Sequence, residues 1–408
     1  MKFNKKNFVF AVFSILSVIG ILEVVLNILA ATSSRVDRLL APPWDPFGVA
    51  ETVPDDRLGL RFNPKYPGHD SKGFNNPAVP NKAKIIAFGD SQALPSGFEP
   101  DQAWPRRLES LAKETVYSFA VPGYGPVQSL ILWEEAVALH PEIIIEAFYA
   151  GNDLFDAFDM VYNQGQLPEL KSHDAQWQKK VREAEELEPI KERVSRLYEI
   201  GEQKTLAQEV PSTARGFLSQ HSKIYGLLRR TRYELPHVIH NDPWENAKAF
   251  ADAHAEYCQV FSTRQFKTIF TSEYRFAALN LADPRIAEGH QISLRVIRKM
   301  NELAAETRIR FIAALIPTKE LVFKELWNTP SENFRILTDN ESRFWKMTKD
   351  FLKENGIEYV DVLPALRTQL AEGIQPYQVS NDGHPNEHGH RAIARLIHAQ
   401  LQKKQGAE

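Results

Sequence analysis

Cysteine is nearly absent from the 408-residue chain: Cys258 stands alone. One thiol forms no internal disulfide, and CxxC redox motifs and cysteine-based zinc fingers are excluded. No long basic run occurs and the formal net charge is -3, so nothing in the composition favours a nucleic-acid partner. The HExxH pattern of zinc hydrolases is missing, as are internal repeats. Long apolar runs are also scarce: one lies near the N-terminus and no second one follows. What remains is 43% hydrophobic and 25% charged, ordinary values for a chain that folds around a core.

The single apolar run extends from about Phe8 to Ala31, behind Lys2, Lys5 and Lys6, and only Glu23 and Asn27 interrupt it. Its length is close to the roughly 20 residues that span a hydrocarbon core, and exceeds the usual core of a cleaved signal peptide. An uncleaved single-pass anchor over 1–31 is therefore expected. The leading lysines place the N-terminus in the cytoplasm and the rest outside it, in a periplasmic or other extracytoplasmic space. Glu23 is read as a charge tolerated in a single anchor.

Residues 32–82 hold Pro42, Pro43, Pro46, Pro54, Pro64, Pro67 and Pro80, and read as an extended stalk and lead-in. Then strands and helices alternate. Lys84–Phe88, Val116–Val121, Glu142–Tyr149, Phe311–Ile316 and Ile357–Val362 read as strands. Trp104–Lys113, Val127–Leu139, Ile292–Glu306, Arg343–Asn355 and Glu387–Gln402 read as helices. This alternation predicts βαβ units and a parallel sheet, made from 83–154 and 291–403. Between them, 155–290 is dense in Glu, Lys and Arg at helical spacing. Trp177–Tyr198, Ser212–Arg230 and Trp244–Phe261 are expected helices of an insertion that serves as a cap, as a surface for a protein partner, or as a solvated decoration.

The special residues fall just after strand ends, where open parallel sheets place their ligands. Gly89-Asp90-Ser91, Gly123, Gly151-Asn152-Asp153 and Asp382-Gly383-His384-Pro385-Asn386 follow in that order. Each block alone has an ordinary reading: Ser91 as a helix cap, Gly123 as a turn glycine, Asn152 as a turn or cap residue. Asp90 and Asp153 are expected to brace their loops. Serine needs an adjacent base to become a nucleophile, and His384 is the base candidate. The Asp-x-His spacing lets the side chains of Asp382 and His384 come from one loop, which makes Asp382 the candidate for the group that holds the ring.

Together these blocks resemble the SGNH (GDSL-like) hydrolase family. The resemblance covers about Ile85 to Ala399, with the insertion outside it. It implies a flavodoxin-like, three-layer α/β fold and a serine esterase or O-acyltransferase without a cofactor. It further implies a catalytic set of Ser91, Asp382 and His384, and an oxyanion hole formed by the backbone N–H groups of Ser91 and Gly123 with the Asn152 side chain. Many members carry Asp-x-x-His; others, including members that acetylate polysaccharides, carry Asp-x-His as here. The resemblance and the anchor together imply an acyl ester substrate, possibly a cell-envelope glycan. A non-catalytic envelope module keeping the fold is the rival from another class. His384, His388 and His390 invite a metal reading, but Pro385-Asn386 breaks the helix that their spacing would need, and no metal is expected. His390 is read as a packing or bracing residue. Pro317-Thr318-Lys319 resembles a Pro-x-Lys segment of membrane-linked members, read either as cleft lining or as a strand-to-helix turn. The segment Asp70–Asn75 also resembles anchored members, with no role implied.

Overall fold

The structure, a computed structural model, describes residues 5–33, 36, 51–66, 68–201, 222–225, 227 and 242–403. Contacts divide the chain into two units: Met1–Val53 with Phe62–Gly73 and Lys204–Asp242, and Pro54–Arg61 with Phe74–Gln203 and Pro243–Glu408.

In the first unit, helix α1 runs from Lys5 to Thr32. Among the described residues, no helix is long and apolar enough to cross a membrane. The lysine Lys2 of the expected anchor lies outside the described residues, as do the side chains of 5–12. Glu23, expected to be a bare charge, accepts hydrogen bonds from Ser222 Oγ at 2.9 Å, from Ile224 N at 3.1 Å and from Lys223 N. Asn27 Nδ2 donates to it from the same helix at 3.1 Å. A carboxylate taking backbone N–H donors in this way loses much of the cost of leaving water. The expected helix Ser212–Arg230 and the proline-rich 37–50 lie largely outside the described residues. The lead-in is not wholly irregular, since short strands β1 (Thr52–Asp55) and β2 (Gly59–Phe62) form within it.

The second unit is built on a five-stranded sheet. Its strands are β3 (Ile85–Phe88), β4 (Val116–Ser118), β5 (Ile143–Tyr149), β8 (Arg310–Ile316) and β9 (Tyr359–Asp361), in the order β4-β3-β5-β8-β9. Every neighbouring pair is parallel. The parallel pairing is that expected from the alternation of elements, and the order is the flavodoxin-like one that the resemblance implies. The apolar runs IIAF, IIIEAFY and RFIAALI are buried almost throughout, as strands of a parallel sheet must be when helices cover it. The order reverses at β3, so its C-terminal end opens beside that of β5 at a switch point.

Helices α2 (Trp104–Ala112) and α14 (Glu387–Lys403) pack on each other. A second group forms around the long helix α10 (Pro284–Thr307), which packs on α3 (Pro126–Ile131), α5 (Asp153–Phe158) and α6 (Ala175–Leu187). Helix α4 (Trp133–Val137) follows α3 after Leu132, dividing the single helix expected over Val127–Leu139. The lead-in is tied to the sheet by Asn76, which donates to Ser118 O at 2.9 Å and accepts from Ser118 N at 3.0 Å.

The 155–290 region departs most from expectation. The helix expected over Trp177–Tyr198 is two, α6 and α7 (Ile190–Gly201), because Pro189 has no N–H to continue the first. The helix expected over Trp244–Phe261 stops early: α8 covers Pro243–Ala253, and Gln259–Ser262 is strand β6, paired antiparallel with β7 (Lys267–Phe270). Trp244, Ala247, Ala251, Cys258 and Ile269 form the core of that piece. Helix α9 (Ser272–Leu279) follows, and α10 starts at Pro284, eight residues before the expected helix start at Ile292. Capped by Asp283, whose side chain accepts from Arg285 N, α10 carries the chain straight out of the insertion into the core. The remaining helices are α11 (Lys319–Phe323), α12 (Glu332–Glu354) and α13 (Leu363–Ala371).

Candidate active site

Ser91 opens a single turn of 3-10 helix, Ser91–Ala93, directly after β3. Asp90 caps that turn through its side chain, accepting from Gln92 N at 2.9 Å. Complete burial lifts the Asp90 carboxyl to about 6, against the opposing pull of that N–H and of His384. The role expected of Asp90, a brace, matches this geometry.

His384 reaches Ser91 from the far end of the sequence. Its Nε2 lies 2.8 Å from Ser91 Oγ, and its Nδ1 lies 2.5 Å from Asp382 Oδ1. Asp382 also accepts from His384 N at 2.9 Å, and from Ser96 Oγ at 2.6 Å through its other oxygen. Burial alone would push the Asp382 carboxyl up, but the bonds from His384 and Ser96 win and hold it well below the usual carboxylate range. Ser96 was not singled out in the sequence; it is 286 residues from Asp382 and belongs to no motif block.

Asn386 and Lys319 hold the loop that carries Asp382 and His384. Asn386 Oδ1 accepts from His388 N and Gly389 N, capping α14, while its Nδ2 donates to Gln375 O and Tyr377 O. Lys319 is 1% exposed, and its ammonium donates to Ile269 O at 2.7 Å, Ser380 O at 3.0 Å and Asp382 O at 2.9 Å. Burial lowers its pKa to about 8. Of the two readings of Pro317-Thr318-Lys319, the strand-to-helix turn is the one found: β8 ends at Ile316, Thr318 caps α11, and Lys319 lies behind the loop and not along the cleft.

Gly123 has φ +77, a conformation costly for any side chain, and a Cβ there would meet no atom within 4 Å. Its Cα therefore faces open space, in the wall of a cavity of about 210 Å³ shared with Ser91, Asn152 and His384. Among the described residues, neither the Ser91 N–H nor the Gly123 N–H donates a hydrogen bond within the chain. Asn152 stands at the N-cap of α5, and its Nδ2 donates to Asp156 Oδ2 at 2.8 Å. Asp153 braces the end of β5 by accepting from Tyr149 N at 2.8 Å.

Below this loop layer lies a set of buried carboxyls that sequence reasoning missed in part. Burial raises Asp156 and Glu146 each to about 8, and raises Asp153 well above the carboxylate range. Glu146 sits mid-strand in β5, fully buried, with neither oxygen accepting a hydrogen bond in the geometry of the chain. It is the only charged residue in Ile143–Tyr149, and that was the available signal.

The histidines expected not to form a metal site are dispersed. His384 is committed to Ser91 and Asp382, His388 is 3.7 Å from Glu387, and His390 is buried with Nδ1 accepting from Trp104 N at 3.0 Å. Burial depresses His390 to about 3, which keeps it neutral. Among the described residues, no group of three or more His, Cys, Asp or Glu side chains is arranged to hold a metal ion.

No protein-family model matches the chain, and no curated protein matches it. Among solved structures, the chain is similar to one described as a lipolytic protein of the G-D-S-L family from Desulfitobacterium hafniense, with 12% identity, TM-score 0.34, and coverage of 78% of this chain and 99% of that one. It is also similar to a GDSL-like lipase from Bacteroides thetaiotaomicron, with 10% identity, TM-score 0.32, and coverage of 80% and 93%. A third is an α/β hydrolase enzyme from the metagenome of Lake Arreo, Spain, with 11% identity, TM-score 0.34, and coverage of 79% and 97%.

Proposed function

We propose that the chain is a serine esterase of the SGNH type, working through an acyl-enzyme on Ser91. One observation carries this reading: His384 Nε2 is 2.8 Å from Ser91 Oγ while Nδ1 is 2.5 Å from Asp382. That is the relation of nucleophile, base and orienting acid that acyl transfer needs. His384 takes the proton of Ser91 as Oγ attacks the ester carbonyl. Asp382 fixes the ring and stabilises the imidazolium that forms. The N–H groups of Ser91 and Gly123, which have no partner among the described residues, receive the oxyanion together with Asn152. The alcohol leaves with the proton held by His384, and water then attacks the acyl group by the same route reversed.

The cavity of about 210 Å³ is smaller than a drug-sized pocket and suits a short acyl group. A second reading, O-acyl transfer to a carbohydrate hydroxyl, uses the same residues. It draws support from Tyr198 and Tyr274, whose rings lie 5.4 Å apart in the cavity wall that also holds His384 and offer an apolar face with polar tips. The cellular setting we propose is the cell envelope, with the second unit outside the cytoplasm. Its support is the apolar run of the sequence together with large apolar side chains of α1 that are exposed, among them Phe13, Val18, Ile21 and Val24. The acylated molecule is then an envelope carbohydrate.

The test is hydrolysis of 4-nitrophenyl acetate by the purified full-length chain. Wild type is expected to turn over, and Ser91→Ala to lose roughly a million-fold in kcat, as removal of a triad nucleophile does. Equal rates in the two would refute the mechanism and favour a non-catalytic envelope module.

A further inference from the structure

Arg275 comes from α9, within the 155–290 region and apart from the loops that carry the reacting groups. It is 6% exposed, and its guanidinium lies over two rings, 4.7 Å from the centroid of Tyr274 and 5.6 Å from that of Tyr149. Its hydrogen bonding is thin. Nη1 donates to Gly151 O at a long 3.4 Å, and Nε has no acceptor. Among the described residues, no carboxylate forms an ion pair with it. Glu320, a nearby counter-charge, spends one oxygen on Thr271 N and leaves the other without a donor. An arginine stays charged, carries five donors in a planar fork, and is costly to bury without acceptors.

Its place explains the middle residue of Asp382-Gly383-His384. A Cβ on Gly383 would meet Arg275 Nη2, so a side chain there would push the guanidinium aside, and glycine lets the turn lie on it. Arg275 thus sits beneath the catalytic turn and in the wall of the cavity that holds Ser91 and His384. It also lines a second, smaller hollow beside Asn381 and Asp382.

We infer that Arg275 is a specificity residue that receives a carboxylate of the substrate, so that the ester handled at Ser91 belongs to an acidic molecule. This inference rests on the ester chemistry proposed above. The planar fork matches a carboxylate with two parallel hydrogen bonds. The carboxylate has two possible carriers, the alcohol part, as in an acetylated sugar acid, or the acyl part, as in a half-ester of a dicarboxylic acid.

Both carriers are tested with the full-length chain by pairing acidic and neutral esters. One pair is the O-acetylated methyl glycoside of glucuronic acid, with its carboxylate free, against the O-acetylated methyl glucoside. The other is 4-nitrophenyl hemisuccinate against 4-nitrophenyl acetate. In wild type, the acidic member of one pair is expected to exceed its neutral partner about tenfold in kcat/KM, mainly through KM, as suits a charge-assisted hydrogen-bond pair. Arg275→Gln should bring that ratio to near one, and Arg275→Lys should restore part of it. Because a ratio is read, any general loss from a displaced turn cancels. An unchanged ratio in Arg275→Gln overturns the inference, as does a wild-type ratio near one in both pairs. Calorimetric titration of Ser91→Ala with glucuronate, succinate and neutral glucose reads the site without catalysis. Binding of either acid, lost in Ser91→Ala/Arg275→Gln, supports the inference even if no ester is cleaved. Binding of neither acid overturns it. Failure of wild type on the neutral esters counts only against the esterase reading.

Discussion

The loops at the C-terminal ends of the sheet strands and the inserted 155–290 region meet at one cavity, yet they contribute differently. The loops supply Ser91, Gly123 and Asn152, each from a short motif after a strand, and the Asp382–His384 turn, which lies between α13 and α14. The inserted region supplies Tyr198, Tyr274 and Arg275, each from the face of a helix and none from a motif. The comparison teaches that the atoms proposed to make and break bonds are fixed by local backbone geometry, whereas the walls that choose the substrate come from distant packing.

The largest effect expected among the loops, after loss of Ser91 itself, is at Asp382. Asp382→Asn keeps the shape but reverses the hydrogen bond to His384 Nδ1. A loss of roughly 10,000-fold in kcat is expected, as for the equivalent change in a serine protease triad. Asn381→Ala should cost less than about tenfold, the modest range of a lost neutral hydrogen bond. Steady-state kinetics on 4-nitrophenyl acetate decides, and the reverse ranking would move the acid.

Lys319 tests whether the turn depends on support from behind. Lys319→Met removes three hydrogen bonds to backbone carbonyls, two of them in the catalytic loop. We expect kcat to fall about 10–100-fold with KM little changed, the scale of losing a supporting partner of reactive groups. The pH profile carries the specific signature. Raising the pH through about 8 discharges Lys319 and weakens its hold, so wild type should show an alkaline decline there that the Met variant lacks. An identical profile in both would show that the lysine only fills space.

The smallest expected effect concerns stability and lies under the loops. Burial lifts Glu146 to about 8, so the folded chain keeps a proton that the unfolded chain releases near 4.3. The stability tied to that proton is whole below about pH 4 and is lost as pH rises towards about 8, by at most about 1.4 kcal/mol per pH unit. Glu146→Gln removes the dependence. Its midpoint in urea should therefore exceed that of wild type at pH 8, with the difference shrinking towards pH 5. A difference independent of pH would contradict this account.

Much of the sheet and its loops was legible in the sequence because parallel strands read as unbroken apolar runs and the motif blocks sit at their ends. The boundaries were less so: the strand expected over Val116–Val121 pairs only as far as Ser118. Arg275, Asp156 and Ser96 belong to no motif block, and the burial of Lys319 was not legible either. A lysine or arginine in a polar stretch looks like solvated charge, and only contacts such as Lys319 to Ile269 and Ser380, across 50 and 61 residues, reveal burial. In the inserted region, the charge density suggested helices throughout and masked the short hairpin of β6 and β7.

The most direct test of the central claim is peptide mass spectrometry of the full-length chain quenched in acid during turnover of 4-nitrophenyl acetate. The account expects one acetyl group on the peptide containing Ser91, at Ser91 itself, absent from Ser91→Ala, and discharged faster when an acidic sugar acceptor is added if transfer rather than hydrolysis is the reaction. Turnover without any acetyl group on Ser91, or with the label retained in Ser91→Ala, would contradict it.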